Sequence, residues 1–240
     1  MIEKNIFQIY HDINLIPEYV KKNLIKLNQN YTYNIFDFNK GKEIILQNFD
    51  QDLSNKICHT LDILPRYCHK SDLLRYCLLY IYGGVYLDCD LQAIKSFDDF
   101  IENDLTLMTT FGIGEYFGTF EIDFNNNKKT MYKIMANGFF AATKNNPLLL
   151  ELIYFCINNP INQDPMNRGI NVVYLYNFLI KKINLNNIVP FKKYIIENNI
   201  IYLILQDEYK KNNFINLNNE VLIKTDNENY NFNRQSSGII

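Results

Sequence analysis

Between Ser71 and Asp90 the chain runs Ser71-Asp72-Leu73-Leu74-Arg75-Tyr76 into Gly83-Gly84 and then Val85-Tyr86-Leu87-Asp88-Cys89-Asp90. Leu74, Cys77, Leu78 and Ile81 fall at i, i+3, i+4 and i+7, the spacing of one buried helical stripe, while Asp72, Arg75 and Tyr76 lie on another face. A helix is predicted from about Arg66 to Tyr82. Two glycines stop it, since glycine tolerates the left-handed conformation at a helix end, and Val85 to Leu91 resumes as an apolar strand. Few architectures place a helix, a glycine stop and a buried strand ending in acids so close together.

The start of the chain fits the same class. Ile6 to Tyr10 is a β-rich run, Pro17 opens a helical pattern through Val20, Leu24 and Leu27, and Tyr31 to Phe38 alternates as a strand does. That β-α-β order predicts an α/β domain with a parallel strand pair. Further helices are expected over Lys40 to Asn48, Pro147 to Ile157 and Asn171 to Ile183. Strands are expected over Leu105 to Thr110, Phe117 to Ile122, Phe139 to Thr143 and Ile200 to Leu205, with Asn125 to Lys129 a loop. With neither a repeat nor a Pro/Gly/Ser linker, residues 1–240 read as one domain, and 212–240 as an irregular Asn-rich tail or lid.

Composition narrows the function. The 24 Lys+Arg against 26 Asp+Glu leave a formal charge of -2, which provides no positive field for nucleic acid. Charged residues interrupt the first twenty positions, and no window approaches 18 uncharged apolar residues, so neither a signal peptide nor a membrane span is expected. The five cysteines include no CxxC pair and fit a reducing compartment better than a disulfide framework or zinc knuckle. A cytoplasmic location is the expectation, the host's cytoplasm if the AT-rich coding bias marks a virus or parasite.

Side chains alternate along an extended strand, so Asp88 and Asp90 are expected on one side and Cys89 turned into the core. Two converging carboxylates repel, and a divalent cation removes that conflict. Hard oxygen donors at this spacing suit Mg²⁺ or Mn²⁺, with coordination positions left for phosphate oxygens. In α/β sheets the ligand crevice opens at strand ends such as this one. The plain alternative is a solvated acidic strand end beside a surface ion pair of Asp72 with Arg75.

The run SDLLRYCLLYIYGGVYLDCD closely resembles the signature of the GT32-type DXD glycosyltransferases, the sugar-binding-region family that includes the yeast initiating α-1,6-mannosyltransferase and is related to the clostridial glucosylating toxin core. Asn5 to Tyr10, Ile16 to Phe38 and the Asn137 to Pro147 stretch, NGFFAATKNNP, resemble the family's first strand, its next helix and strand, and its Asn-containing strand. The resemblance implies a GT-A type, Rossmann-like nucleotide-sugar-binding domain, a mixed central sheet flanked by helices. It also implies retaining transfer of a hexose or N-acetylhexosamine from a UDP- or GDP-linked donor to a glycan, protein or lipid acceptor. On it, Asp88 and Asp90 hold Mn²⁺ (or Mg²⁺) against the donor's diphosphate, Asp90 most directly. Asp72 and Arg75 bind donor-sugar hydroxyls, Gln8 and Tyr10 lie near the nucleoside, Tyr86 walls the pocket, Asn137 contacts sugar or acceptor, and Ser237 serves the phosphate end. The sequence departs from the pattern at Phe7, where the family has His, at Tyr10, where it has Trp, and at 233–238, where Asn-Arg-Gln-Ser-Ser-Gly stands in place of a closing His-Ser-Trp.

Two other functions use the same residues. An inactive sugar-nucleotide or glycan-binding module fits the altered C-terminal segment. A Mg²⁺-dependent phosphohydrolase fits Asp88 and Asp90 but leaves Asp72, Arg75 and the glycine pair without roles.

Overall fold

The computed structural model describes residues 1–114, 132–135, 137–159, 175, 178–179, 181–182, 189–207, 213–216 and 218–225. In chain order they form β1 (Asn5–Ile9), α1 (Glu18–Leu27), β2 (Thr32–Phe36), α2 (Phe38–Asn48), α3 (Gln51–Ile63), α4 (Tyr67–Tyr82), β3 (Gly84–Leu87), β4 (Leu91–Ala93), β5 (Leu107–Gly114) and β6 (Tyr132–Ile134). They continue with β7 (Phe139–Ala142), α5 (Pro147–Asn158), β8 (Lys193–Ile196), β9 (Asn199–Asp207), β10 (Asn213–Ile215) and β11 (Val221–Thr225).

The strands form one mixed sheet in the order β2-β1-β3-β7-β5-β9-β10-β11-β4, with β6 on β5 and β8 on β9. β1 runs parallel to both β2 and β3, and β3 runs antiparallel to β7. The chain leaves β1 toward β2 on one side and returns to β3 on the other, so the order reverses at β1. A ligand crevice forms beyond the carboxyl ends of strands at such a reversal.

Both faces of the central strands are covered. Ile6, Val85 and Leu87 join Leu24 of α1 in one core, whereas Phe7, Ile9 and Tyr86 pack with α2 to α5 in the other. That is why β3 reads as a continuous apolar run instead of an alternating one. α4 is enclosed too: Leu73, Leu74, Tyr76, Cys77, Leu78 and Leu79 are all fully buried. The apolar stripe expected on α4 is therefore part of a helix whose middle, Asp72 to Leu79, is buried on every side.

Local chemistry sets the boundaries. Asp37 and Asp50 cap α2 and α3 by accepting from Lys40 N at 2.8 Å and Leu53 N at 3.0 Å, and Asn146 caps α5 ahead of Pro147. Gly83 ends α4 at φ +65°, and at Gly84 (φ +121°) an added Cβ would stand 2.5 Å from the Asn5 carbonyl oxygen. β1 and β3 therefore approach this closely only with glycine at 84.

Most expected elements are present, with shifted ends. α3 went unforeseen, although its cap and the buried Leu53, Ile57 and Leu61 carry helical spacing. The expected strand from Val85 to Leu91 stops at Leu87, and Leu91 begins β4. Part of the presumed irregular tail is ordered sheet: β10 pairs with β9, and β11 bridges β10 to β4. Of the expected helix from Asn171 to Ile183, residues 175, 178–179 and 181–182 are described and helical. The strand expected at Phe117 to Ile122 and the loop at Asn125 to Lys129 lie outside the described residues. Among the described residues no helix is long and apolar enough to cross a membrane.

Candidate active site

The carboxyl ends of β1 and β3, the middle of α4 and the residues before β7 meet at one place. Asp72 and Arg75 are buried at 3% exposure each, which excludes the surface ion pair as their reading. Arg75 Nη2 lies 3.0 Å from Asp72 Oδ1 and 3.3 Å from Asp88 Oδ1. Its Nη1 donates to the Asn137 carbonyl at 2.6 Å and its Nε to the Ser71 carbonyl at 3.2 Å. The guanidinium carbon also sits 4.3 Å from the centre of the Tyr86 ring. Burial alone would lower the arginine's pKa, but Asp88, Tyr86 and Asp72 outweigh it and hold the group charged. A planar fork with donors on three nitrogens is what ties α4, β3 and the β7 approach into one cluster.

Asp72 is held from two sides. Asn137 Nδ2 donates to Asp72 Oδ1 at 3.0 Å and to the Tyr76 hydroxyl at 2.9 Å, while Asp72 Oδ2 is buried without a hydrogen-bond partner. Burial pushes the Asp72 carboxyl up to about 7 despite the neighbouring Arg75. An unspent buried acceptor beside a fixed cation is a place where a ligand's hydroxyl gains more than it would in water.

The acids at the end of β3 do not share a strand face. Asp88 N bonds the Gly138 carbonyl at 2.7 Å, and the chain then turns through Cys89 and Asp90, closed by Leu91 N on the Asp88 carbonyl at 3.1 Å. Strand alternation ends at Leu87. The expected separation of Cys89 survives for another reason: its sulfur is buried 3.7 Å from the Ile9 carbonyl oxygen, while Asp90 is exposed in the crevice mouth. Asp88 is clamped, its Oδ1 taking the Tyr86 hydroxyl at 2.6 Å as well as Arg75. Behind it an added Cβ on Gly138 would stand 2.8 Å from Asp88 Oδ2, so a side chain there would displace the carboxylate.

The surrounding protein, and then the charge of Asp88, push the Asp90 carboxyl up to about 6 even though the residue opens to solvent. A cation shared with Asp88 would relieve that conflict, and two hard-oxygen donors suit Mg²⁺ or Mn²⁺. Among the described residues no three His, Cys, Asp or Glu side chains gather as a complete cage. The residues fit a cation that keeps water and phosphate oxygens as its other ligands.

The other sequence candidates fall differently. Gln8 is fully buried on β1, its Oε1 accepting from the Tyr33 hydroxyl at 2.5 Å and its Nε2 left without a partner. Tyr10, just past β1, makes a tilted ring pair with His11 at 4.4 Å between ring centres, and burial, Cys89 and Asp90 raise its pKa. Asn137 is buried, with both amide hydrogens on protein groups. Tyr86 is fully buried, its hydroxyl donating to Asp88 Oδ1 and its ring beneath the Arg75 guanidinium. Ser237 lies outside the described residues. Tyr76, Tyr33 and Gly138 were not foreseen as site residues; only Tyr76, grouped with Asp72 and Arg75 by helical spacing, left a signal.

A reversal in strand order, a helix leading into the crevice strand and a D-x-D turn at that strand's end belong to the mixed α/β architecture of a GT-A type fold. Residues 16–107 match the family model described as the glycosyltransferase sugar-binding region containing DXD motif, a span that takes in Asp72, Arg75, Tyr86, Asp88 and Asp90. The chain is 26% identical over 152 residues to the uncharacterized glycosyltransferase L373 of Acanthamoeba polyphaga mimivirus, a match covering 62% of this chain and 53% of that protein. Among solved structures it is similar to the PaToxG glycosyltransferase, with a TM-score of 0.53, 19% identity, and coverage of 76% of this chain and 70% of that one.

Proposed function

We propose that this chain is a metal-dependent, retaining glycosyltransferase that moves a hexose or N-acetylhexosamine from a UDP- or GDP-linked donor to a hydroxyl of a glycan, protein or lipid. The observation that carries the reading is the buried Asp72–Arg75–Asn137 cluster, with Asp72 Oδ2 unspent, directly behind the Asp88–Asp90 turn. A phosphohydrolase has use for the two outer acids but not for an unpartnered buried acceptor. The family match over residues 16–107 supports the same reading.

In this reading Asp88 and Asp90 hold Mn²⁺ or Mg²⁺. When bound, the cation supplies Lewis-acid stabilisation to the leaving diphosphate. Asp72 accepts a hydrogen bond from a donor-sugar hydroxyl, and Arg75 fixes both Asp72 and Asp88 while adding positive charge behind the sugar. Tyr10, and Gln8 beneath it, take the nucleoside side of the crevice, and Ser237 serves the phosphate end. No side chain is assigned as nucleophile or base. As the anomeric C–O bond to phosphate breaks, a leaving phosphate oxygen takes the acceptor's proton, and the new C–O bond forms on the same face, which retains configuration.

The test is nucleoside-diphosphate release from UDP-glucose, UDP-N-acetylglucosamine and GDP-mannose with Mn²⁺, alongside calorimetric binding. Asp88→Asn and Asp90→Asn should each abolish Mn²⁺-dependent nucleotide binding and release, with circular dichroism unchanged, because charge is lost while shape is kept. Wild-type affinity for a nucleotide with Mn²⁺ in both variants would refute the assignment.

A further inference from the structure

Tyr76 is a fully buried hydroxyl to which the mechanism above gives no task. It sits one helical turn after Asp72, its ring meets Phe140 edge-on at 5.6 Å, and its oxygen accepts from Asn137 Nδ2 at 2.9 Å. A buried tyrosine costs desolvation of its hydroxyl unless that hydroxyl has a partner. Phenylalanine would fill the same space without that cost.

The partner is what makes the position informative. Asn137 has two amide hydrogens, and the structure assigns one to Tyr76 and the other to Asp72 Oδ1 at 3.0 Å. Arg75, anchored on the Asn137 main-chain carbonyl at 2.6 Å, reaches the same Asp72 oxygen at 3.0 Å. Asp72 Oδ1 is therefore saturated by two donors, which leaves Oδ2 as the free acceptor. Without the Tyr76 hydroxyl, one Asn137 amide hydrogen is orphaned in the interior. The amide then has reason to rotate, and Asp72 loses one of the two bonds that set the direction of its free oxygen.

We infer that Tyr76 is a positioning residue for the donor sugar, acting through Asn137 on Asp72, so that it tunes recognition of the sugar without touching it. The inference rests on the glycosyltransferase reading and adds to it a residue and a direction of effect. The nucleotide portion of a donor is bound elsewhere, at Tyr10 and the Asp88–Asp90 turn, so Tyr76 should affect the sugar's share of the affinity alone.

The experiment compares, with Mn²⁺ present, the affinity for a nucleotide sugar with that for its bare nucleoside diphosphate, using UDP-glucose and UDP-N-acetylglucosamine against UDP and GDP-mannose against GDP. In Tyr76→Phe the advantage of the sugar nucleotide should fall about fivefold, the equivalent of one lost buried hydrogen bond, with affinity for the bare diphosphate unchanged. Asn137→Ala should reproduce that loss without altering the helix. Adding Tyr76→Phe to Asn137→Ala should cause no further loss, since the two act as one unit. Tyr80→Phe, on the same helix but stacked on Phe49 away from the site, should leave the advantage intact.

A wild-type advantage in Tyr76→Phe, or losses that multiply in the double variant, would overturn the inference. Wild-type protein that shows no such advantage for any of the three nucleotide sugars and releases no diphosphate from them would instead overturn the glycosyltransferase reading itself.

Discussion

Replacing Arg75 by lysine keeps the charge and removes the geometry, which makes it the sharpest perturbation of this site. Arginine serves the Ser71 and Asn137 carbonyls and the Asp72 and Asp88 carboxylates from three separate nitrogens. An ammonium offers all its hydrogens from one atom and cannot span the Asn137 carbonyl on one side and both carboxylates on the other. The Ser71 carbonyl keeps its helical partner, so its loss matters little. The Asn137 carbonyl is left orphaned, at about 1–3 kcal/mol, and one charge-assisted bond worth about 1.5–3 kcal/mol is weakened. A net loss of about 3 kcal/mol is expected, large against a total stability of about 5–15 kcal/mol but short of preventing folding. With a urea slope of about 2–3 kcal/mol/M, the unfolding midpoint should fall by about 1 M or more. Calorimetry on the same protein should show sugar-nucleotide affinity reduced more than diphosphate affinity, because Asp72 is disoriented while Asp90 is not. A midpoint shift below about 0.2 M, the behaviour of an exposed ion pair, would refute the account of Arg75 as the centre of the cluster.

Gly138→Ala should weaken Mn²⁺-dependent nucleotide binding with little change in thermal midpoint, since its new Cβ would stand 2.8 Å from Asp88 Oδ2 while the backbone there is ordinary; unchanged metal-dependent affinity would show that Asp88 need not hold its place. Asp72 titrates near 7 when folded against about 3.9 when unfolded, so between those values the native state holds a proton that the unfolded chain has released. Wild-type stability should therefore fall as pH rises from about 4 to 7, and Asp72→Asn should remove that part of the slope; parallel urea profiles at pH 5 and pH 7 would contradict it. Truncation after Asn229 keeps β11, which ends at Thr225, and should leave a folded chain with weaker nucleotide binding and slower transfer. Equal turnover in the full and truncated chains would refute a role for Ser237 at the phosphate end.

The sequence by itself determined the parts of this protein governed by short-range chemistry. The glycine stop after Tyr82, the Pro-started helix and the apolar run of β3 depend on neighbours within a few residues, and each is present, as is the parallel β1–β2 pair that the β-α-β order implies. So is the nearness of Asp72 to Arg75, which i, i+3 spacing enforces wherever a helix forms. The same spacing is indifferent to depth, however, and only the packing of α4 between the sheet and α2, α3 and α5 turned a surface-type pair into a buried one. Asn137 reaches Asp72 and Arg75 across more than sixty residues, and Tyr33 reaches Gln8 from the next strand. Such partners are set by strand order and register. The Asp88–Asp90 geometry also belongs to the tertiary structure: the turn closed by Leu91 N on the Asp88 carbonyl carries the chain from β3, paired with β7, to β4, paired with β11, where local pattern continued one strand. The tail was misread for a related reason. Asn-rich sequence has little hydrophobic drive of its own, and β10 and β11 become strands because β9 and β4 present edges that complete their hydrogen bonds.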